Sequence, residues 1–309
     1  MKRRIAVLDL GTNTFHLLIA DTVNSRIDQQ LIVEKRDAKL GEGGITNGFI
    51  TEAAFKRGIE ALRSFQSIIN EYNPDEVHAV GTAALRNASN AADFIEQVKK
   101  ETGIAIEIID GGREAELIYK GVRRAIDLSE SGLITDIGGG SVEFIFCDKH
   151  EVVHKKSYPI GAAKLMDLFH HSDPISESDI LAIHQYLDEQ LNDLKINAHI
   201  FKPQLLIGSA GAFETFVALA IDKFNEHRVS YDGTNFFFQN GQFHSVINDI
   251  LKSTHAEREA NEAIIPVRVD MIVVSAILTS YIVDELHIPE IAMSAYSLRE
   301  GLLFDQIEA

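Results

Sequence analysis

The chain predicts an α/β protein built from two related halves, on three observations. Apolar runs of strand length alternate with amphipathic helical stretches, the pattern of layered α/β domains. One strand–turn–strand stretch occurs twice, offset by 127 residues. A length of 309 residues, 45% apolar and 24% charged, suits about two soluble domains with sizeable cores.

The second copy of the repeated stretch is the clearer one. Ile134-Thr135-Asp136-Ile137 runs into Gly138-Gly139-Gly140-Ser141, then Val142-Glu143 and the apolar Phe144-Ile145-Phe146. Glycines let backbone amides approach a ligand, and a row of amides makes a concave anion site. Asp136 and Glu143 flank the turn with carboxylates, which a hard cation such as Mg²⁺ takes. Alone, the stretch also reads as a hairpin with a flexible turn. Its earlier copy, Asp9-Leu10-Gly11-Thr12-Asn13-Thr14, favours a ligand: Asp9 falls on Asp136, Gly11 on Gly138, Thr14 on Ser141 and Asp21 on Asp148. Each half then offers one glycine/hydroxyl turn to a shared cleft.

The other elements follow in order. Residues 5–8 and 15–20 are apolar enough for buried strands. Residues 38–48 are a glycine-rich loop, either a plain connection or a substrate-facing one. Thr51 can cap a helix to Tyr72, with Phe55, Ile59, Leu62, Phe65 and Ile69 on one face. Residues 77–80 form a strand entering Gly81-Thr82-Ala83-Ala84-Leu85-Arg86, and Ser89 starts a helix that Gly103 closes. Residues 104–109 form a strand. The turn Asp110-Gly111-Gly112 leads to a helix opening at Arg113-Glu114 and reaching about Ile126. Past the second turn copy, helices are expected at 162–170, 176–194, 246–251 and 269–286. A strand at 205–207 enters a third glycine turn, Gly208-Ser209-Ala210-Gly211. With no Pro-rich linker in the chain, the domain crossover is expected near residues 123–132.

Composition excludes some functions. Lys and Arg total 29 against 46 Asp and Glu, a net charge of −17, which argues against bulk binding of nucleic acid or an anionic membrane. An anionic substrate would need a local basic pocket. The single cysteine, Cys147, allows neither an intrachain disulfide nor a Cys-based zinc site. The longest apolar run, residues 271–278, is too short to span a bilayer, and a signal peptide is not expected, so the default location is cytoplasmic. His150-Glu151-Val152-Val153-His154 matches a zinc-protease pattern, but that chemistry needs a helix. β-Branched valines and a preceding strand predict extended backbone, which holds residues four apart roughly 13 Å from each other.

Five motifs in order resemble the exopolyphosphatase/guanosine pentaphosphate phosphohydrolase family, within the actin-like ATPase superfamily. They are Asp9–Thr14; Gly81-Thr82-Ala83-Ala84-Leu85-Arg86-Asn87; Ile109-Asp110-Gly111-Gly112-Arg113-Glu114-Ala115-Glu116-Leu117; Asp136–Glu143; and Leu298-Arg299-Glu300-Gly301-Leu302-Leu303. The resemblance implies two actin-like (ribonuclease H-like) domains with duplicated sheet cores around an interdomain cleft. It implies a first domain of residues 1–125 plus a returning C-terminal helix, 299–309, and a second of 126–298. It implies Mg²⁺-assisted hydrolysis of a terminal phosphoanhydride in inorganic polyphosphate. The alternatives are guanosine pentaphosphate as the substrate, or a weakly catalytic sensor of such molecules. It admits a homodimer.

The family's catalytic base falls on Glu114, which the residues alone would read as an acid favoured by a helix start. At such a start the helix dipole keeps a carboxylate ionised. The resemblance assigns phosphate binding to Gly11, Thr12, Asn13, Thr14, Arg86, Gly138, Gly139, Gly140 and Ser141. It assigns the metal to Asp136 and Glu143, with Asp9. Arg268 is a weaker phosphate candidate that could instead pair with Asp270, and Lys39, Arg113, Arg123 and Arg124 could add positive potential. Two positions depart from the family: Arg113 replaces an acid, and the third turn lacks the usual Gly-x-x-Gly-Thr. The chain stops soon after Arg299-Glu300-Gly301, as a short form without a helical extension would, which leads us to expect short polyphosphate or a nucleotide as substrate.

Overall fold

The computed structural model describes residues 2–128, 130–209, 211–224, 233–239 and 241–308. Among these residues the chain forms eleven strands and twelve α-helices in two compact units. Unit 1 comprises Met1–Gly121, Gly138–Gly140 and Ser297–Ala309; unit 2 comprises Val122–Ile137 and Ser141–Tyr296.

Unit 1 opens with β1 (Lys2–Leu10), β2 (Phe15–Val23) and β3 (Arg26–Arg36), followed by α1 (Glu52–Tyr72), β4 (Glu76–Gly81), α2 (Ala83–Asn87), α3 (Ala91–Thr102), β5 (Ile106–Ile108) and α4 (Gly111–Val122). The next stretch supplies β6 (Gly132–Ile137), β7 (Val142–Cys147), β8 (Val152–Tyr158), α5 (Ala162–Phe169), α6 (Glu177–Gln190), α7 (Asn192–Phe201), β9 (Leu205–Ser209), α8 (Gly211–Phe224), β10 (Asn235–Phe237), α9 (Gln242–Lys252), α10 (His255–Ala260), α11 (Met271–Leu286) and β11 (Glu290–Ser294). The last helix, α12 (Leu298–Glu308), belongs to unit 1 and packs on β1 and β2.

The two sheets share one topology. Unit 1 orders its strands β3-β2-β1-β4-β5, and unit 2 orders its own β10-β11-β9-β6-β7-β8. In each, three antiparallel strands are followed by two parallel ones: β4 on β1 and β5 on β4, then β9 on β6 and β11 on β9. This is the duplicated actin-like arrangement, with β10 added outside β11. The repeat holds to the residue: Leu10 pairs with Phe15 and Asp9 with His16, while Ile137 pairs with Val142 and Asp136 with Glu143. Both glycine turns are therefore hairpin loops as well as candidate ligand loops.

Local chemistry sets most element ends. Thr51 Oγ1 accepts from the Ala54 amide to cap α1, and Asn73 closes it in the left-handed region. Phe65 and Leu62 on α1 and Phe94 on α3 fill the unit 1 core; Phe144, Phe146, Phe213 and Phe216 fill that of unit 2. Several boundaries differ from expectation. The helix expected from Ser89 starts at Ala91. The strand expected over 104–109 is only Ile106–Ile108, at the sheet's edge. Where one helix is expected over 176–194 there are two, meeting at Leu191; buried Ile183, Leu187, Leu191 and Leu194 continue one apolar period across the break, which hides it in the sequence. His150 lies in a turn and His154 in β8, so the zinc-protease pattern is extended, as its valines predict. Among the described residues, no helix is long and apolar enough to cross a membrane.

α4 and α12 meet at two glycines. A Cβ on Gly301 would stand 1.7 Å from the Leu117 carbonyl oxygen and 3.1 Å from the Gly121 amide nitrogen. One on Gly121 would stand 2.2 Å from the Ser297 oxygen. Alanine normally favours a helix interior by about 1 kcal/mol over glycine. Here the clash with backbone outweighs that gain, at about 1–3 kcal/mol or more for overpacking. Gly301→Ala should lower the thermal unfolding midpoint in a calorimetric scan; an unchanged or raised midpoint would contradict the tight crossing.

Candidate active site

Glu114 sits in the first turn of α4, a helix that begins earlier than expected, at Gly111, and ends at Val122. Asp110 caps it: its Oδ1 accepts from the Arg113 amide at 2.8 Å, and its carbonyl accepts from the Glu114 amide at 2.9 Å. Glu114 is only 7% exposed. Arg86, at the end of α2, donates from Nη1 to Glu114 Oε2 and to the Ile109 carbonyl, both at 2.9 Å. Burial is the main influence on Glu114 and pushes its carboxyl up to about 7; Arg86 pulls it down, and the charge of Asp9 raises it further. The helix dipole alone would keep this group ionised well below neutrality; desolvation overrides it.

The first glycine turn lies in the same unit. Thr12 is buried; Gly11, Asn13 and Thr14 are partly exposed. The loop of residues 38–48 is stitched to this turn, with the Lys39 amide on the Asn13 carbonyl at 2.7 Å and the Gly41 amide on the Thr12 carbonyl at 3.0 Å. That settles its position beside the candidate phosphate residues. The three glycines Gly138–Gly140 also group with unit 1. A Cβ on Gly139 would stand 2.4 Å from Asn13 Nδ2, so any larger residue there would have to displace the Asn13 side chain. Asp9 turns Oδ2 towards His16 Nδ1 at 3.6 Å, while its buried Oδ1 has no hydrogen-bond partner.

In unit 2, the second hairpin carries Asp136, half-buried, opposite Glu143, which is 1% exposed. Ser141 Oγ donates to Glu143 Oε1 at 2.8 Å, and Ser157 Oγ donates to the same oxygen at 2.6 Å. Arg268 does not pair with Asp270. It meets Glu214 at 2.7 Å and Thr215 Oγ1 at 3.0 Å, while Asp270 pairs with His255. In the third turn Gly208 and Ser209 end β9, Gly211 opens α8, and Ala210 lies outside the described residues. Among the described residues, no three His, Cys, Asp or Glu side chains gather as a metal-binding group.

Arg113, Arg123 and Arg124 take different places. Arg113 reaches Asp305 on α12, whereas Arg123 and Arg124 are exposed beyond α4. His16, Ser157 and Asp110 were not singled out by sequence reasoning. His16 and Ser157 become significant only as cross-strand partners of Asp9 and Glu143, which requires the pairing register. Asp110 had a legible signal, a capping residue one position before the helix.

The chain matches the Ppx/GppA phosphatase family over residues 18–309. It is 29% identical over 302 residues to a putative exopolyphosphatase of Haemophilus influenzae, covering 98% of this chain and 91% of that one. It is 26% identical over 314 residues to exopolyphosphatase 1 of Mycobacterium leprae, covering 99% and 90%. A crystal structure of an exopolyphosphatase from Cytophaga hutchinsonii superposes with a TM-score of 0.95 at 40% identity, covering 99% and 98%. The Aquifex aeolicus PPX-GPPA enzyme superposes with a TM-score of 0.80 at 25% identity, covering 99% and 100%. By sequence and by fold alike, the chain belongs to the Ppx/GppA phosphatase family.

Proposed function

We propose that the chain hydrolyses the terminal phosphoanhydride of inorganic polyphosphate, with Glu114 as the general base that deprotonates the attacking water. The observation that carries this is the buried Glu114 carboxyl, hydrogen-bonded to Arg86 and pushed up to about 7. A carboxylate poised near neutrality accepts a proton from water far more readily than an ordinary one. Relatives named exopolyphosphatase support the substrate.

The other groups take roles that fit their chemistry. Arg86 orients Glu114 and adds positive charge for a phosphate oxygen. The amides and hydroxyls of Gly11–Thr14 and of Gly138, Gly139, Gly140 and Ser141 would hold phosphoryl oxygens. Mg²⁺ is the cation this reading calls for. Asp9 suits it, because its buried Oδ1 is unpartnered. Asp136 stands at the matching place in the second hairpin. Glu143 already accepts two hydroxyls at Oε1, which suits it to fixing Ser141 more than to ligation. Bound there, the cation would offset charge on the phosphoryl oxygens.

Glu114→Gln keeps the shape and removes the base, so kcat for phosphate release from polyphosphate should fall by about 10²–10⁴-fold. Release from any substrate at the wild-type rate would overturn the assignment. Because the base works ionised, kcat/KM, which follows the free enzyme, should rise as pH climbs through about 7 and level off above it. Arg86 lowers the Glu114 value, so Arg86→Gln should move this limb to higher pH; a shift to lower pH would contradict the pairing. A panel of short and long polyphosphates and guanosine pentaphosphate, assayed for phosphate release with Mg²⁺, fixes the substrate. Polyphosphate should be the best, and Glu114-dependent release confined to guanosine pentaphosphate would replace it as the substrate.

A further inference from the structure

Arg113 and Glu114 are neighbours on α4 but are anchored in different directions. Glu114 is held by Arg86. Arg113 donates from Nη2 to Asp305 Oδ2 on α12, and Lys120, two turns along α4, donates to Asp305 Oδ1 at 2.6 Å. One carboxylate thus takes two cations of α4, one on each oxygen. Its side chain is 14% exposed, with those of Lys120 and Arg113 at 27% and 36%. One turn away along α12 lies the Gly301 contact with Leu117 and Gly121. Glycine contact sets the separation of the two helices, and an ion triad beside it sets their rotation. The triad is distinct from the Arg86–Glu114 pair, so its influence on Glu114 passes along the first turn of α4.

We propose that Asp305 is a positioning residue for Glu114: by holding Arg113 and Lys120, the C-terminal helix fixes the rotation of α4 that aims the Glu114 carboxyl. The proposal rests on Glu114 as the base. A misplacement of about 1 Å can cost a reaction up to about 10²-fold, and a one-residue neighbour on a helix transmits rotation directly. The same geometry gives Arg113 a use that its sequence position did not suggest. It serves the helix pair and is no part of the phosphate turns.

The test is steady-state phosphate release from polyphosphate by full-length Asp305→Ala, Asp305→Glu and Arg113→Gln, with unfolding midpoints recorded for each. Asp305→Ala and Arg113→Gln should lower kcat by about 10- to 100-fold with KM unchanged, and Asp305→Glu should recover most of the loss. In a Glu114→Gln background, Arg113→Gln should cause no further loss, because Arg113 acts through Glu114. If Asp305→Ala does not fold, Arg113→Gln carries the test, since its side chain is the more exposed. Wild-type kcat in folded Arg113→Gln, or additive losses with Glu114→Gln, would overturn the proposal while the base assignment stands. Wild-type activity in Glu114→Gln would overturn both.

Discussion

The site depends on one arrangement: a carboxyl group taken out of water and set 2.9 Å from a single guanidinium. Removing a charge from water costs several kcal/mol, and one hydrogen-bonded partner offsets only part of it. The remainder appears as the raised proton affinity of Glu114. Full pairing would leave an inert, permanently ionised carboxylate; no pairing would leave a neutral acid. Burial and Arg86 oppose each other, and the group rests near neutrality between them.

Such a balance requires the first turn of α4 to be placed closely, and several contacts converge on it. Asp110 caps the turn, Arg86 grips it from α2, and Arg113 ties it to α12. The glycine crossing at Gly121 and Gly301 lets α12 come near enough for the ion triad to form. Here the end of the chain helps to locate a residue nearly two hundred positions earlier.

The two hairpins show how one fold serves unequal roles. Their registers are identical, yet the residue opposite the aspartate is His16 in the first and Glu143 in the second. In the first, Asp9 keeps a buried oxygen without a partner; in the second, Glu143 collects two serine hydroxyls. The backbone repeat preserves the turn geometry, while the side chains divide the chemistry.

Much of this was legible in the residues. The offset repeat announced two α/β halves because strand pairing and glycine turns are local signals, read within a dozen residues. Thr51 and Gly103 marked helix ends through capping chemistry. Reading failed where a signal was non-local or ran past a break. The apolar period hid the junction at Leu191; Arg268 chose Glu214 over nearby Asp270; Arg113 looked like a lost acid until α12 lay beside it. The sequence by itself determined the element types, the duplication and the residues able to do phosphate chemistry, because periodicity and residue type are properties of the chain. Only the tertiary structure decided which carboxylate is raised, which is tied up by hydroxyls and which cation faces it. Desolvation and pairing depend on what folding brings within a few ångströms.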